Sequence, residues 1–230
     1  MLAVTLGVMA VLHLLRVFCN EQGDGGNPLA VFLDGADVPA ERRQAVAADL
    51  GLSETVFVDD PATGEVRIFT PSTEMEFAGH PTIGTAWLLR ETGRPVESLR
   101  VPAGELHVRY DGDLAFVTAR PEWAPDFALD LLDSPDAVEA LDGPPGGHDL
   151  IVAWAWIDEE AGAVRSRVFP RSLGIDEDEA TGAAAVRLCG AVGRAIDIHQ
   201  GRGSRIGARP VGDGFVELAG RAVLDETRDY

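Results

Sequence analysis

The sequence predicts an α+β fold of two related halves, each a curled, mostly antiparallel sheet around a central helix. Three observations predict it. The chain repeats itself: Arg67-Ile68-Phe69 returns as Arg167-Val168-Phe169 at an offset of 100, and Gly84 matches Gly182 at an offset of 98. Each copy runs into a small-residue helix with little polar face, carrying Ala86, Trp87, Leu88 and Leu89 in the first and Ala184, Ala185, Val186 and Leu188 in the second. A helix apolar nearly all round is a buried helix. The rest of the chain breaks into short strand-like runs between Gly, Pro and Asp turns. The halves are expected at residues 1–118, with a helix at about 80–91, and 119–230, with a helix at about 181–192. The C-terminal strand is read as returning to the first half.

Taken in order, Val11 to Phe18 reads as a buried strand, and residues 1–8 as an extension upstream of a start at Met9. Gly23 to Pro28 is a glycine-rich turn before the apolar run Leu29 to Leu33. It lacks the GxGxxG spacing and the GK[ST] ending of nucleotide loops. Asp37-Val38-Pro39 opens a helix that Gly51 closes. Ser53 to Val58 and Val66 to Thr70 are strands, followed by the helix that runs to about Glu91 and stops at Gly93. Val101 to Thr118 folds as a hairpin about Tyr110-Asp111-Gly112-Asp113. Pro121 to Gly147 is rich in Pro, Asp and Gly, with a short helix near Pro135 to Leu141 and the crossover between halves. Leu150 to Ile157 and Val164 to Phe169 are strands, and Ile196 to Val223 holds three more, broken at Gly201-Arg202-Gly203 and Gly212-Asp213-Gly214.

Composition narrows function by exclusion. A formal charge of −19 argues against nucleic acid and anionic membranes, which both need cationic surface. All 19 basic residues are Arg. Without Lys there is no Schiff base, no pyridoxal phosphate attachment and no P-loop lysine. The two cysteines, Cys19 and Cys189, form no CxxC or Cys/His cluster, and the five histidines show no metal-ligand spacing. Neither a disulfide framework nor a metal site is expected, and a reducing, cytoplasmic setting is. The apolar start has no basic n-region or A-x-A site and is shorter than the roughly 20 residues of a membrane helix.

Three polar stretches accompany special backbone: Ser53-Glu54-Thr55 at a strand head, Gly79-His80-Pro81-Thr82 at one helix mouth, and Asp178 to Gly182 at the other. Helix N-termini leave backbone N–H groups unpaired at a positive dipole end, which suits an anion. From position alone each side chain has two readings. Glu54 is a solvated turn carboxylate or a desolvated acid/base, and His80 a local cap or a neutral imidazole facing substrate. Asp178 is an acid favouring a helix N-terminus or a substrate ligand.

The ordered set Gly26-Asn27-Pro28-Leu29-Ala30-Val31-Phe32, Ser53-Glu54-Thr55-Val56-Phe57, Arg67-Ile68-Phe69-Thr70-Pro71, Phe77-Ala78-Gly79-His80-Pro81-Thr82-Ile83-Gly84, Gly174-Ile175 with Glu177-Asp178-Glu179-Ala180-Thr181-Gly182-Ala183, and Gln200-Gly201 resembles the PhzF family of phenazine-biosynthesis isomerases. The motifs span about Val17 to Val223, nearly the whole chain. The resemblance implies the diaminopimelate-epimerase-like fold, with the active site between two pseudo-symmetric halves, and a homodimer. It implies cofactor-free proton transfer, in which a glutamate shuttles a proton between ring carbons of trans-2,3-dihydro-3-hydroxyanthranilate. Carried over, that glutamate is Glu54, and the substrate-holding residues are His80, Asp178, Gly79, Gly182, Ala183 and Asn27. The substrate implied is a small carboxylate-bearing metabolite.

The chain departs from the family pattern in three places. Glu179 stands where the family usually has proline, Ala183 where a small hydroxyl residue is common, and the Pro121 to Gly147 region is short, as if a strand pair were trimmed. The thiol epimerases of the same fold carry a cysteine at each helix mouth; here those places hold Ala78-Gly79 and Glu179-Ala180. Cys189, seven residues past Gly182, lies about 10 Å down the helix, and Cys19 belongs to the first strand. A two-thiol racemase is therefore disfavoured. The alternatives are a racemase or epimerase of a small amino acid, for which one carboxylate is a poor fit, and a non-catalytic relative that keeps the cleft.

Overall fold

In the computed structural model, residues 10–230 are described, so the expected start at Met9 lies outside the description. Strands β1 (Val11–Cys19), β2 (Asn27–Phe32), β3 (Glu54–Asp60) and β4 (Glu65–Phe69) are laid side by side, with β2 and β3 parallel and β3 and β4 antiparallel. Helix α1 (Ala40–Leu50) lies between β2 and β3 in sequence, and the short β5 (Glu74–Met75) pairs with β4. Helix α2 (Gly79–Glu91) follows, then β6 (Ser98–Val101), β7 (Gly104–Asp111) and β8 (Leu114–Ala119). The second half repeats the plan with β9 (Ala128–Leu131), α3 (Pro135–Glu139), β10 (Ile151–Asp158), β11 (Ala163–Phe169), α4 (Gly182–Val192), β12 (Ile196–Gln200), β13 (Ser204–Gly212) and β14 (Phe215–Asp229). The parallel pairs recur in both halves: β2 with β3 and β4 with β6, then β9 with β10 and β11 with β12.

The expected return of the C-terminal strand is seen. β14 pairs with β8 along Val216 to Arg221 and with β1 along Arg221 to Asp229, while its first residues also pair with β13. The circuit β1-β2-β3-β4-β6-β7-β8-β14 therefore closes on itself around α2. β2 and β3 read as apolar runs because both their faces are covered, whereas β7 alternates between buried apolar and exposed polar residues. Leu29, Val31, Val56, Val58 and Ile68 pack inward with Ile83, Ala86, Leu88 and Leu89 of α2, whereas Ala30, Phe32, Phe57 and Phe69 pack outward with Val46 and Ala47 of α1. Phe32 and Phe57 stack at 5.0 Å between centroids. Each fully buried Leu or Ile of α2 contributes about 1.5–3 kcal/mol by leaving water.

The second sheet is not closed. Among the described residues β9 has one partner strand, β10, so the sheet ends there with no counterpart of β1. The edge strand β9 lies within the Pro121 to Gly147 region that was expected to be trimmed. The 3-10 turn Pro121–Trp123 packs beside α4, with the Pro121 ring against Gly190, and Gly190 and Ala191 remain exposed. The expectation that both helices are enclosed thus holds for α2 and fails for one flank of α4. The repeat also has a different register from the one expected. Gly182 opens α4 as Gly79, not Gly84, opens α2. Gly84 is instead a packing residue, where a Cβ would lie 2.5 Å from Leu29 and 2.6 Å from Val17.

The contrast between the helices is testable by denaturant unfolding. Leu88→Ala, in the closed circuit, is expected to cost about 2–5 kcal/mol, while Ala191→Gln on the open flank of α4 is expected to stay within about 0.5 kcal/mol.

Candidate active site

The two helix mouths meet. A Cβ on Gly79 would lie 2.6 Å from the Gly182 carbonyl carbon, and one on Gly182 would lie 2.8 Å from the Cα of Gly79. These are backbone atoms that cannot swing aside, so the approach requires glycine on both sides. Neither Ala78, before α2, nor Thr181, before α4, caps its helix with a side-chain hydrogen bond. The first-turn N–H groups of Gly79, His80, Gly182 and Ala183 therefore gather at one place with two positive dipole ends behind them. Ala183 itself is buried in the first turn of α4.

Three titratable side chains converge there. Glu54 opens β3 beside the end of β2, and its Oε2 lies 3.3 Å from Nδ1 of His80. Burial pushes the Glu54 carboxyl up to about 7, with a hydrogen bond from Ser53 acting weakly the other way. Burial pushes His80 down to about 4, against the charge of Asp178 and the Pro28 carbonyl. At neutral pH the imidazole is thus uncharged and its contact with Glu54 is not an ion pair. Asp178 is raised to about 6, first by burial and then by the charge of Glu54, with Thr181, His80 and Asn27 opposing.

The partners of the two carboxyls differ. Asp178 is held on both oxygens, Oδ1 accepting from Asn27 Nδ2 at 2.7 Å and Oδ2 from Thr181 Oγ1 at 2.6 Å. Asn27 also donates to the Ala180 carbonyl at 3.1 Å and accepts from Ser53 at 3.3 Å. Gln200 completes the shell, donating to the Asp178 carbonyl at 2.8 Å and accepting from the Thr181 N–H at 3.2 Å. Among the described residues, Oε2 of Glu54 and Nε2 of His80 are buried without a hydrogen-bond partner. The site therefore has one fixed carboxyl and one free one.

The structure gathers every residue that the family pattern nominated, from β2, β3, α2 and the loop before α4. It gives Asn27 protein partners for both amide hydrogens, so its place is beside Asp178, not facing an open cleft. Ser53, Thr181 and Gln200 lay inside the motifs without an assigned role; their signal was a polar side chain flanking a glycine turn. A cavity of about 570 Å³ reaches Asp178 between Glu177, Glu179 and three arginines, Arg165, Arg167 and Arg202. A cavity of about 770 Å³ lies away from Glu54 and His80, over β12 to β14 and the loop Asn20 to Gln22. No helix of the described residues is long and apolar enough to cross a membrane.

Fold and site together define an α+β protein of the diaminopimelate-epimerase-like class, with a carboxyl–imidazole–carboxyl cluster between two abutting helix mouths. Comparison with known proteins narrows this. The family model described as phenazine biosynthesis-like protein (PhzC-PhzF) matches residues 15–121. A trans-2,3-dihydro-3-hydroxyanthranilate isomerase of Pseudomonas aeruginosa is 32% identical over 261 residues, covering 89% of this chain and 94% of its own length. A PhzF-family phenazine biosynthesis protein of Enterococcus faecalis has the same fold, with a TM-score of 0.75 at 23% identity over 97% of this chain and 99% of its own. A hydroxyproline epimerase of Agrobacterium vitis shares the fold more distantly, with a TM-score of 0.59 at 13% identity, over 96% of this chain and 92% of its own. The chain belongs to the phenazine biosynthesis-like (PhzC-PhzF) family, and curated relatives that it matches are named as isomerases. The 261-position alignment uses 89% of 230 residues, about 205, so that relative carries segments this chain lacks.

The raised carboxyl has a consequence for stability. Below the ordinary value of 4.5, folded and unfolded chains both hold the Glu54 proton; as pH rises the unfolded chain releases it first, so folding stability falls until pH passes about 7. Asp178 acts in the same direction between 3.8 and about 6, and His80 in the opposite one, its contribution being lost as pH falls from 6.5 through about 4. In Glu54→Gln the loss of stability between about pH 4.5 and 7 is expected to be shallower than in the parent, as read by urea unfolding across that range. Equal slopes would show that Glu54 is not held protonated by the fold.

Proposed function

We propose that this protein is a cofactor-independent isomerase that moves a proton, and with it a double bond, on a small carboxylate-bearing metabolite. Its reference substrate is that of its relative, trans-2,3-dihydro-3-hydroxyanthranilate, or another cyclic amino or imino acid of that size. The observation that carries this reading is the unpartnered Oε2 of Glu54, 3.3 Å from Nδ1 of His80 in a site whose burial pushes the carboxyl up to about 7. An acid/base is most effective when its pKa is near the working pH, since it then both accepts and returns a proton readily.

The rest of the site serves binding. The substrate carboxylate sits at the paired helix mouths, where the N–H groups near Gly79 and Gly182 receive it. Neutral His80 and Asp178 orient the ring. Asn27, Thr181 and Gln200 hold Asp178 still. Glu54 takes a proton from one carbon and delivers it to another, so the proton count of enzyme and substrate is unchanged over the cycle. The absence of lysine from the sequence leaves no side chain for Schiff-base chemistry. Full occupation of both Asp178 oxygens favours one mobile carboxyl over the two opposed bases that inversion of a stereocentre requires.

Solvent deuterium wash-in tests the reading. The parent is expected to place deuterium from D₂O on the reacting carbons of trans-2,3-dihydro-3-hydroxyanthranilate, and Glu54→Gln to slow this by about 10²- to 10⁴-fold. Wash-in by Glu54→Gln at the parent's rate would remove Glu54 from the role. Chiral chromatography of recovered substrate separates isomerisation from epimerisation.

A further inference from the structure

We propose that Glu179 is a positioning residue of the active site: through Ser204 it clamps the Asp178 loop to the loop that carries Asn27. The inference rests on the isomerase reading for its kinetic arm and on geometry alone for its structural one.

Glu179 follows Asp178 in the segment that leads into α4. Its Oε1 accepts from the Arg202 N–H at 2.6 Å and from the Ser204 hydroxyl at 3.1 Å. Ser204 is fully buried, and its oxygen in turn accepts from the Gly26 N–H at 2.9 Å. The loops also touch backbone to backbone. Gly25 has φ +69°, and a Cβ there would lie 2.7 Å from the carbonyl carbon of Gly203 and 2.8 Å from the Ser204 nitrogen.

The links close a ring. Gly26 and Asn27 are adjacent on one loop, Asp178 and Glu179 on the other. Asn27 reaches Asp178 directly at 2.7 Å, while Gly26 reaches Glu179 through Ser204. Asn27 also reaches the Ala180 carbonyl, and the Gly26–Ser204–Glu179 link adds a tie one residue away on each segment, which restrains their relative rotation. Asn27 and Thr181 hold the Asp178 oxygens and the second link steadies the segments they sit on; displacement of a substrate-orienting group by about 1 Å can cost on the order of 10²-fold in rate. The titratable groups acting on Asp178 are Glu54 from β3 and His80 from α2, while Glu139, Glu177, Glu179, Arg165, Arg167 and Arg202 line the cavity that reaches it. A change at Ser204 removes none of these charges and, among these groups, breaks a hydrogen bond only to Glu179.

Three variants separate clamping from charge. Ser204→Ala removes the bridging oxygen without changing any charge, Glu179→Ala removes the acceptor, and Glu179→Gln keeps an acceptor oxygen but loses the charge. With trans-2,3-dihydro-3-hydroxyanthranilate as substrate, Ser204→Ala and Glu179→Ala are expected to lower kcat on the order of 10- to 100-fold with KM little changed, and Glu179→Gln to stay near the parent. Carbon-13 NMR of the Asp178 carboxyl is expected to show its titration midpoint move up in Ser204→Ala, because the Asn27 hydrogen bond that holds it down is loosened. A merely structural role lowers melting temperature without moving that midpoint. The clamp is refuted if Glu179→Gln falls with Glu179→Ala, or if Ser204→Ala leaves both kcat and the midpoint unchanged. If Ser204→Ala does not fold, the two Glu179 variants decide. A parent without turnover would sink the isomerase reading, while the NMR titration would still decide the clamp.

Discussion

Two glycines make the site possible. Gly79 and Gly182 open the central helices of the two halves, and they approach so closely that a methyl group on either would meet the other's backbone. Everything at the site follows from that approach. Two helix N-termini, each equivalent to roughly half a positive charge, are forced together without a side-chain cap. Such an arrangement repels itself unless negative charge lies nearby, and Glu54, Asp178 and an incoming carboxylate are the available sources.

The same approach explains the titration of the cluster. Packing of the two mouths buries Glu54, His80 and Asp178 together, and for all three burial is the largest cause of the shift. Desolvation outweighs the attraction of the helix dipoles for the carboxylates. The difference between the two acids lies in their partners. Asp178 has two strong donors and is fixed; Glu54 has an imidazole beside it and an oxygen left unpartnered. A rigid acid suits binding and a free one suits proton transfer, which is the division of labour proposed for Asp178 and Glu54.

Much of this was legible in the sequence. The apolar strands could be read because α1 covers one face and α2 the other, which leaves no polar position to blur the run. The repeat could be read, but its register could not. Gly79 lies twelve positions after Arg67 and Gly182 fifteen positions after Arg167, and each small-residue helix holds more than one glycine. The four-residue strands β6 and β9 were too short to show a period. The open flank of α4 has no signature in composition, since Ala and Gly serve a buried face and an exposed one alike. Glu54 was nominated only through its motif; its burial comes from tertiary packing at the ends of β2 and β3. The neutrality of His80 was anticipated from the helix dipole, whereas burial is the larger cause.

The central claim is that one buried carboxyl, Glu54, carries the proton from carbon to carbon. Label transfer within a single turnover tests it most directly. With trans-2,3-dihydro-3-hydroxyanthranilate deuterated at the carbon that loses its proton, and ordinary water as solvent, the account predicts that part of the deuterium arrives at the accepting carbon of the same molecule. Product whose accepting carbon carries only solvent hydrogen, at mixing times shorter than the exchange of a buried carboxyl, would contradict it.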